Sequence, residues 1–401
     1  MYRNVTHFPN LTPLRFIAAY LVVIFHVEET REMFHLPNLT RFSFFSHGPL
    51  AVTFFFVLSG FLITYLLLRE HHQTHQIAVS RFYLRRIVRI WPLYFLMVFI
   101  GLVLIPAGVR LGRVPYEAPF ESWDVAVYFI LFMPLVVNLI YGNHFLTPLW
   151  SIGVEEIYYL GWAPIVKLFR NHLLAIMVGT VLVKTLLAAW AYYFFRNALA
   201  AEVLRMLQFE AMAIGGLGAY FVFHREQPMH LHWLFSKPAQ VVLILLLLIR
   251  LFAHQSCAAW LPPYATIFDH PVFTPLLFMA IFAWFIINVA VNERAMVRLD
   301  SRVLDYLGEV SYGIYVYHAL VISLVFVPFL DDYQKAPGWI ATPLLHLLVA
   351  TFTVLFAALS KTFFENKFLN AKARFQAVPA GVPGSHHATE SVASTPDALA
   401  A

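Results

Sequence analysis

Cysteine is almost missing from this chain. The single Cys257 among 401 residues cannot close an internal disulfide, so the fold is not stapled and the count says little about compartment. Charge is scarce too: 12% of residues are charged against 60% hydrophobic, with a mean hydropathy of +0.71. A soluble fold cannot bury that much apolar sequence, because polar residues to cover its surface run out first. No HExxH, no glycine-rich phosphate loop and no cysteine pair is present, so no metal site is expected. Met1 to Asn10 lack a basic stretch followed by a small-residue cleavage site, and the first apolar run therefore reads as a retained helix. Neither a repeat nor a soluble domain is visible. The net charge of +5 sits in short loops, which points to membrane topology and away from nucleic-acid binding.

What the chain does have is apolar runs of roughly 17–22 residues, the span of a bilayer core. They are continuous rather than alternating, which favours helices over a β-barrel. The expected fold is all-α, a polytopic helical bundle in the lipid bilayer. Candidate segments lie at 11–27, 50–68, 91–106, 122–141, 150–168, 173–195, 206–223, 239–254, 272–290, 307–329 and 339–360.

Counting crossings gives a parity conflict. Arg69, Arg81, Arg85, Arg86 and Arg89 follow the second segment, and Lys361, Lys367, Lys372 and Arg374 follow the last; both groups should be cytoplasmic. Eleven crossings would separate them. Removing 122–141, which carries Pro134 between Asp124 and Asn143, restores agreement. Lys167/Arg170, His224/Arg225/Lys237 and Arg294/Arg298/Arg302 then fall inside, while Glu28 to Glu32, Asp269 and Asp331/Asp332 fall outside. The expectation is ten transmembrane helices with both termini cytoplasmic, plus one re-entrant or interfacial segment lining a protein cavity. The transmembrane domain covers 1–370. Residues 371–401, rich in Ala, Pro, Ser, Gly and Thr from Ala377 onward, read as a disordered cytoplasmic tail.

Charged groups inside membrane helices are costly unless paired, so each is a functional candidate. Arg15 and His26 are eleven residues apart on the first helix, nearly on one face and roughly 16 Å apart along its axis. Snorkelling of Arg15 and a boundary role for His26 beside Glu28 and Glu29 compete with a functional reading. Ser59-Gly60 suits close helix packing, with a nucleophilic Ser59 as the lesser alternative. Arg81, Arg85 and Arg89 repeat at i,i+4, and Arg86 and Arg89 at i,i+3, denser than topology alone needs. Guanidinium forks bind phosphate oxygens in pairs, so this cluster is a candidate polyphosphate clamp. Glu155 and Glu156 begin a membrane helix, and an inward carboxylate could hold a histidine in one tautomer. Ser311, Tyr315 and His318 share a helical face and could line a cavity. His71, His72 and His75 read as solvated.

Together these patches resemble the acyltransferase 3 family, membrane acyltransferases that include O-antigen acetylases and macrolide acylases. The resemblance rests on Arg15 and His26; Phe55 to Leu62; Arg86, Arg89, Ile90, Pro92 and Tyr94; Trp150, Ser151, Ile152 and Glu155; and Ser311, Tyr312, Tyr315 and His318. It covers about 8–368. Thr12-Pro13 stands where an Asp often precedes the arginine, and Glu365-Asn366-Lys367 lacks the closing proline. The esterase-like domain of some relatives is not expected.

The resemblance implies ten or eleven helices in a bacterial inner membrane. It also implies an acyl-CoA donor, often acetyl-CoA, used as substrate with no bound cofactor, and a carbohydrate or other hydroxyl acceptor. In the mechanism expected from it, Arg86 and Arg89, with Arg85, grip the CoA phosphates and Arg15 steers the thioester inward. His26, held by Glu155 or another acid, takes the acceptor proton. Ser59, Tyr94, Trp150, Ser151, Ser311, Tyr315 and His318 complete the pocket, with Tyr315, Ser311 or Trp150 near the oxyanion. The rival class is a transporter exporting a glycan or acyl group without forming a bond. Acceptor identity, acyl chain and oligomeric state stay open.

Overall fold

The computed structural model describes residues 2–8, 10–111, 119–195 and 198–370, and these contain helices and turns but no strand. Long apolar runs force this outcome, because a backbone in hydrocarbon must satisfy its own hydrogen bonds. The first three long helices are α1 (Leu11–Met33), α2 (Gly48–Thr74) and α3 (Val79–Phe99), the last continuing through a wide turn to Arg110. Two short helices follow, α4 (Ser122–Ile130) and α5 (Pro134–Tyr141). The remainder comprises α6 (Leu149–Leu168), α7 (Leu173–Trp190), α8 (Phe209–His224), α9 (Lys237–Leu248), α10 (Phe273–Val291), α11 (Arg302–Glu309), α12 (Ser311–Phe326) and α13 (Gly338–Ser360).

Among the described residues nine helices are long and apolar enough to cross a membrane. Helix α6, with 20 residues, is also long enough to span a bilayer, but Glu155 and Glu156 lower its apolarity. Segment 122–141 does not cross. Phe132 takes a φ of +58° at its middle, and Pro134 opens α5, so a nine-residue and an eight-residue helix meet at a corner.

Contacts between loops sort them into two faces. On one, the Tyr2 hydroxyl accepts from Met229 N (2.8 Å), Asn10 Oδ1 accepts from Leu299 N (3.1 Å), and Lys361 meets Glu309 (2.6 Å). On the other, Asn143 donates to Glu29 (3.3 Å), Gln255 to Thr40 O (3.0 Å), and His47 Nε2 to Arg250 O (2.6 Å). The chain enters and leaves the bundle on the first, terminal face, as an even number of crossings requires. The residues expected as a disordered tail, 371–401, lie outside the described residues.

One expectation fails at the far end of α1. Glu28 to Glu32 do not form a loop: the helix continues to Met33, and Glu28 and Arg31 are buried. Arg31 Nη1 reaches both Glu28 oxygens (2.7 and 2.8 Å), and Leu39 N and His346 Nε2 add donors at 2.6 Å each. A carboxylate so fully paired can stay in an apolar interior, which is why charge did not end the helix.

Small residues set the closest approach in the bundle. A Cβ on Gly60 would lie 2.0 Å from Met212 O, and one on Gly215 would lie 1.9 Å from Val57 O, so the backbones of α2 and α8 touch. Gly215→Val should therefore destabilise the detergent-solubilised protein by about 3 kcal/mol or more. Gly161→Val, where an added Cβ meets nothing within 4 Å, should leave its melting temperature nearly unchanged. Equal melting temperatures for the two variants would refute this packing.

Candidate functional site

A narrow cavity of about 190 Å³ runs inside the bundle, and α2 forms its long wall. Val52, Phe55, Phe56, Ser59, Leu62, Ile63 and Leu66 all face it, the i,i+3/i+4 stripe of one helical face. From Leu66 to Val52 that stripe spans 14 residues, about 21 Å at 1.5 Å per residue. Arg86, Arg89 and Ile90 of α3 close one side; Ser151, Ile152, Glu155 and Tyr159 of α6 close another. Ser311, Tyr312 and Tyr315 come from α12, and Arg15 from α1.

A second cavity, of about 410 Å³, opens at the terminal face between His7, Thr12, Asp305, Glu309, Lys361 and Glu365. Arg15, Arg89 and Tyr312 line both cavities and form the neck between them. Tyr312 is fixed there by donating to Ile90 O (2.8 Å).

The neck is cationic and unneutralised. Arg15, Arg86 and Arg89 make no ion pair among the described residues, and Arg86 instead lies over the rings of Phe82 and Tyr159 at 5.7 and 5.8 Å. Arg86 Nε is buried without a hydrogen-bond partner. The carboxylate in the cavity wall, Glu155, accepts from Ser59 Oγ (2.7 Å) and from the Tyr159 hydroxyl (3.1 Å).

At the other end the cavity is closed by Tyr315. Its hydroxyl lies 2.7 Å from Ser151 Oγ and donates to Pro148 O (3.0 Å), and its ring meets Phe55 edge-on at 6.0 Å. Beyond this partition lies a histidine pair, with the His318 ring 5.7 Å from Tyr315 and 4.8 Å from His26. Both imidazoles face a backbone carbonyl through Nδ1: Val22 O at 2.9 Å for His26 and Tyr315 O at 2.5 Å for His318. A carbonyl only accepts, so each ring carries its proton on Nδ1 and leaves Nε2 as a bare base. His318 is wholly buried. His26 keeps 22% of its side-chain surface and sits 3.8 Å from Glu29, so it is reachable from the far face.

The structure thus joins Arg15, Arg86, Arg89, Ser59, Glu155, Ser151, Ser311 and Tyr315 in one cavity. Other expected members lie elsewhere. Arg85 turns away to Glu70 (2.9 Å), because the adjacent position on a helix points about 100° off Arg86. The buried Tyr94 donates to Phe129 O (2.9 Å) and ties α3 to α4. Trp150 packs edge-on against Phe56 at 6.0 Å, outside the cavity. His26 and His318 lie past Tyr315 rather than in the cavity wall. The expected pairing of His26 with Glu155 is replaced by Glu29, three residues along α1 and on the same face.

Sequence reasoning also missed functional positions. Tyr312 and Tyr159 were not singled out as cavity residues, and the apolar stripe of α2 was read as packing alone. Its 3–4 residue spacing was visible, but a membrane helix presents similar stripes to lipid and to cavities. Glu29 was hidden by the mistaken end of α1.

Comparison with known sequences adds an independent finding. The acyltransferase domain profile of the acyltransferase 3 family matches residues 9–362. The peptidoglycan O-acetyltransferase OatA of Listeria monocytogenes is 24% identical over 393 residues, covering 90% of this chain and 56% of that protein. A Staphylococcus aureus (strain COL) protein assigned by name to the O-acetyltransferases is 24% identical over 383 residues, 92% of this chain and 58% of its own. The O-acetyltransferase OatA of Staphylococcus aureus (strain NCTC 8325) is 30% identical over 172 residues, 41% of this chain and 26% of its own. This chain spans a little over half the length of the first two relatives. No solved structure matches it. With the profile covering nearly the whole bundle, neck and cavity included, the chain belongs to the acyltransferase 3 family.

Proposed function

We propose that this protein is a bacterial inner-membrane O-acyltransferase. It takes an acyl group from acyl-CoA on the cytoplasmic side and places it on a hydroxyl of a cell-envelope or exported glycan. The observation that carries the donor assignment is the neck, where three guanidiniums meet without a carboxylate partner among the described residues. Clustered like charges half-buried in a membrane bundle repel one another unless compensated, so such a group suits an anion that arrives and leaves. CoA phosphates meet this need, and guanidinium forks match phosphate oxygens.

The cavity supports the same donor. The α2 stripe that lines it runs about 21 Å, the length scale of an extended pantetheine arm. A thioester carried along it stops beneath Tyr315, one helical turn below His318. His26 approaches from the other side with Nε2 bare. It takes the proton from the acceptor hydroxyl as that oxygen attacks the thioester carbon; the C–S bond breaks and CoA leaves through the neck. Glu29 at 3.8 Å favours the imidazolium so formed. Ser59, Glu155 and Tyr159 present fixed polar groups along the arm.

The basic loops gather on the terminal face, which supports a cytoplasmic placement of both termini. Relatives named for peptidoglycan O-acetylation support an envelope glycan as acceptor and acetyl as the group moved. Membership of an acyltransferase family and relatives named as O-acetyltransferases favour the transferase over export without bond formation.

Two experiments test the roles. His26→Ala, inserted and folded as the parent, should lose about 10²–10⁴-fold in acyl transfer, read as labelled acyl groups entering envelope glycan. Near-normal transfer removes His26 as the base. Arg89→Ala should raise the half-saturating acyl-CoA concentration at least tenfold, since a charge-assisted phosphate contact contributes about 1.5–3 kcal/mol. Arg85→Ala should raise it far less, because Arg85 is committed to Glu70. Equal effects of the two substitutions would overturn the neck assignment.

A further inference from the structure

Resting on the reading of His26 as the base, we infer that His346 and Thr342 of α13 are positioning residues for it. Through Glu28 and Arg31 they set the rotation of α1 that turns His26 toward His318 and Tyr315. Neither touches the α2 cavity, and α13 contributes no residue to its lining.

Rotation of α1 is the sensitive coordinate. A side chain rides about 5–6 Å from its helix axis, so a turn of about 10° moves the His26 ring by about 1 Å. A misplacement of that size can cost about 10²-fold in rate. The bond of His26 Nδ1 with Val22 O (2.9 Å) ties the ring to its own helix only, so the helix itself must be held.

The hold begins two residues further on, about 200° around the helix. Glu28 is fully buried and accepts from His346 Nε2 at 2.6 Å. Arg31, which donates to Glu28, also donates to Thr342 Oγ1 at 2.9 Å. Glu28 and Arg31 are one turn apart on α1, and Thr342 and His346 one turn apart on α13. Two bonds at different heights resist both sliding and turning of one helix on the other. Leu39 N, from the chain beyond α1, donates to Glu28 as well at 2.6 Å. A buried ion pair often stabilises a fold no better than apolar residues of the same volume, whereas its bonds are directional. Arg31 alone suffices to neutralise Glu28; the donors from α13 add direction.

The same helix holds the other histidine. A Cβ on Gly313 would lie 2.9 Å from Ala357 Cβ, and the Tyr317 hydroxyl donates to Ser360 Oγ at 3.0 Å, so α12 is fitted closely to α13. Helix α12 carries Tyr315 and His318, and α1 carries His26. Helix α13 is thus the common frame against which the two imidazoles are set 4.8 Å apart.

The test supplies labelled acetyl-CoA to envelope fractions carrying the full chain and measures transfer into glycan per folded protein. His346→Leu, His346→Gln and Thr342→Val are each made in the parent and in His26→Ala. His346→Leu leaves the Glu28–Arg31 pair in place. At saturating acetyl-CoA it should lower transfer about 10–100-fold in the parent. The half-saturating acetyl-CoA concentration should move less than about twofold, because donor binding is untouched. His346→Gln keeps an N–H donor and should restore most of the loss. Thr342→Val should act in the same direction, and it carries the test if His346→Leu does not fold. In His26→Ala none of these changes should lower transfer further, since the group they position is gone. Equal fractional losses in the two backgrounds, or no loss in the parent, overturn the positioning role while leaving the base reading intact. Near-normal transfer by His26→Ala alone overturns the base reading and this inference with it.

Discussion

Three half-buried guanidiniums that make no ion pair among the described residues are the constraint on which the rest of this bundle depends. Several other buried or half-buried charges are paired within the protein: Arg31 with Glu28, Arg85 with Glu70, Lys184 with Glu210 at 3.6 Å. At the neck Arg15, Arg86 and Arg89 converge with none of them in an ion pair among the described residues; Glu155 on the inner side is already bonded to Ser59 and Tyr159, and Asp305, Glu309 and Glu365 line the outer cavity. The helices that supply them must be held at close quarters by other means. Gly308 against Thr12 O, where a Cβ would come within 2.0 Å, holds α1 close, and the bond of the Tyr312 hydroxyl to Ile90 O holds α3. Packing of small residues thus replaces the ion pairs that the site cannot use.

The second organising feature is the partition. The α2 cavity ends near Tyr315, and the histidine pair lies beside the same ring, so the proposed transfer would be confined to one narrow level of the bundle. Holding both reactants at a fixed meeting point converts a bimolecular encounter into a local one. The arrangement also keeps each side closed to the other's solvent. The bare Nε2 of His26 follows from helix geometry alone, since its Nδ1 bonds the carbonyl four residues back.

Much of this was legible in the sequence, for identifiable reasons. Apolar run length fixed the all-α membrane class, and Pro134 between Asp124 and Asn143 marked 122–141, which the structure breaks into two short helices, as unlike the other segments. The density of arginine between Arg81 and Arg89 marked the neck. What could not be read was which face each residue takes once helices tilt against one another. Arg85 and Arg86 are neighbours with opposite fates, one in an ion pair with Glu70 and one in the cavity. Glu155 and His26 both carry intramembrane polar groups and looked like partners, yet they serve opposite sides of Tyr315. Glu28 and Arg31 read as the end of a helix because their mutual neutralisation, completed by His346 some 300 residues away, is a tertiary fact.

The most direct measurement is an experimentally determined structure of the full chain with acetyl-CoA bound. The account predicts phosphate density at Arg15, Arg86 and Arg89, the pantetheine arm lying along Ser59 and Leu62, and the thioester beneath Tyr315 facing His26. A CoA molecule seated away from these arginines, or an arm that leaves the α2 stripe unfilled, would contradict it.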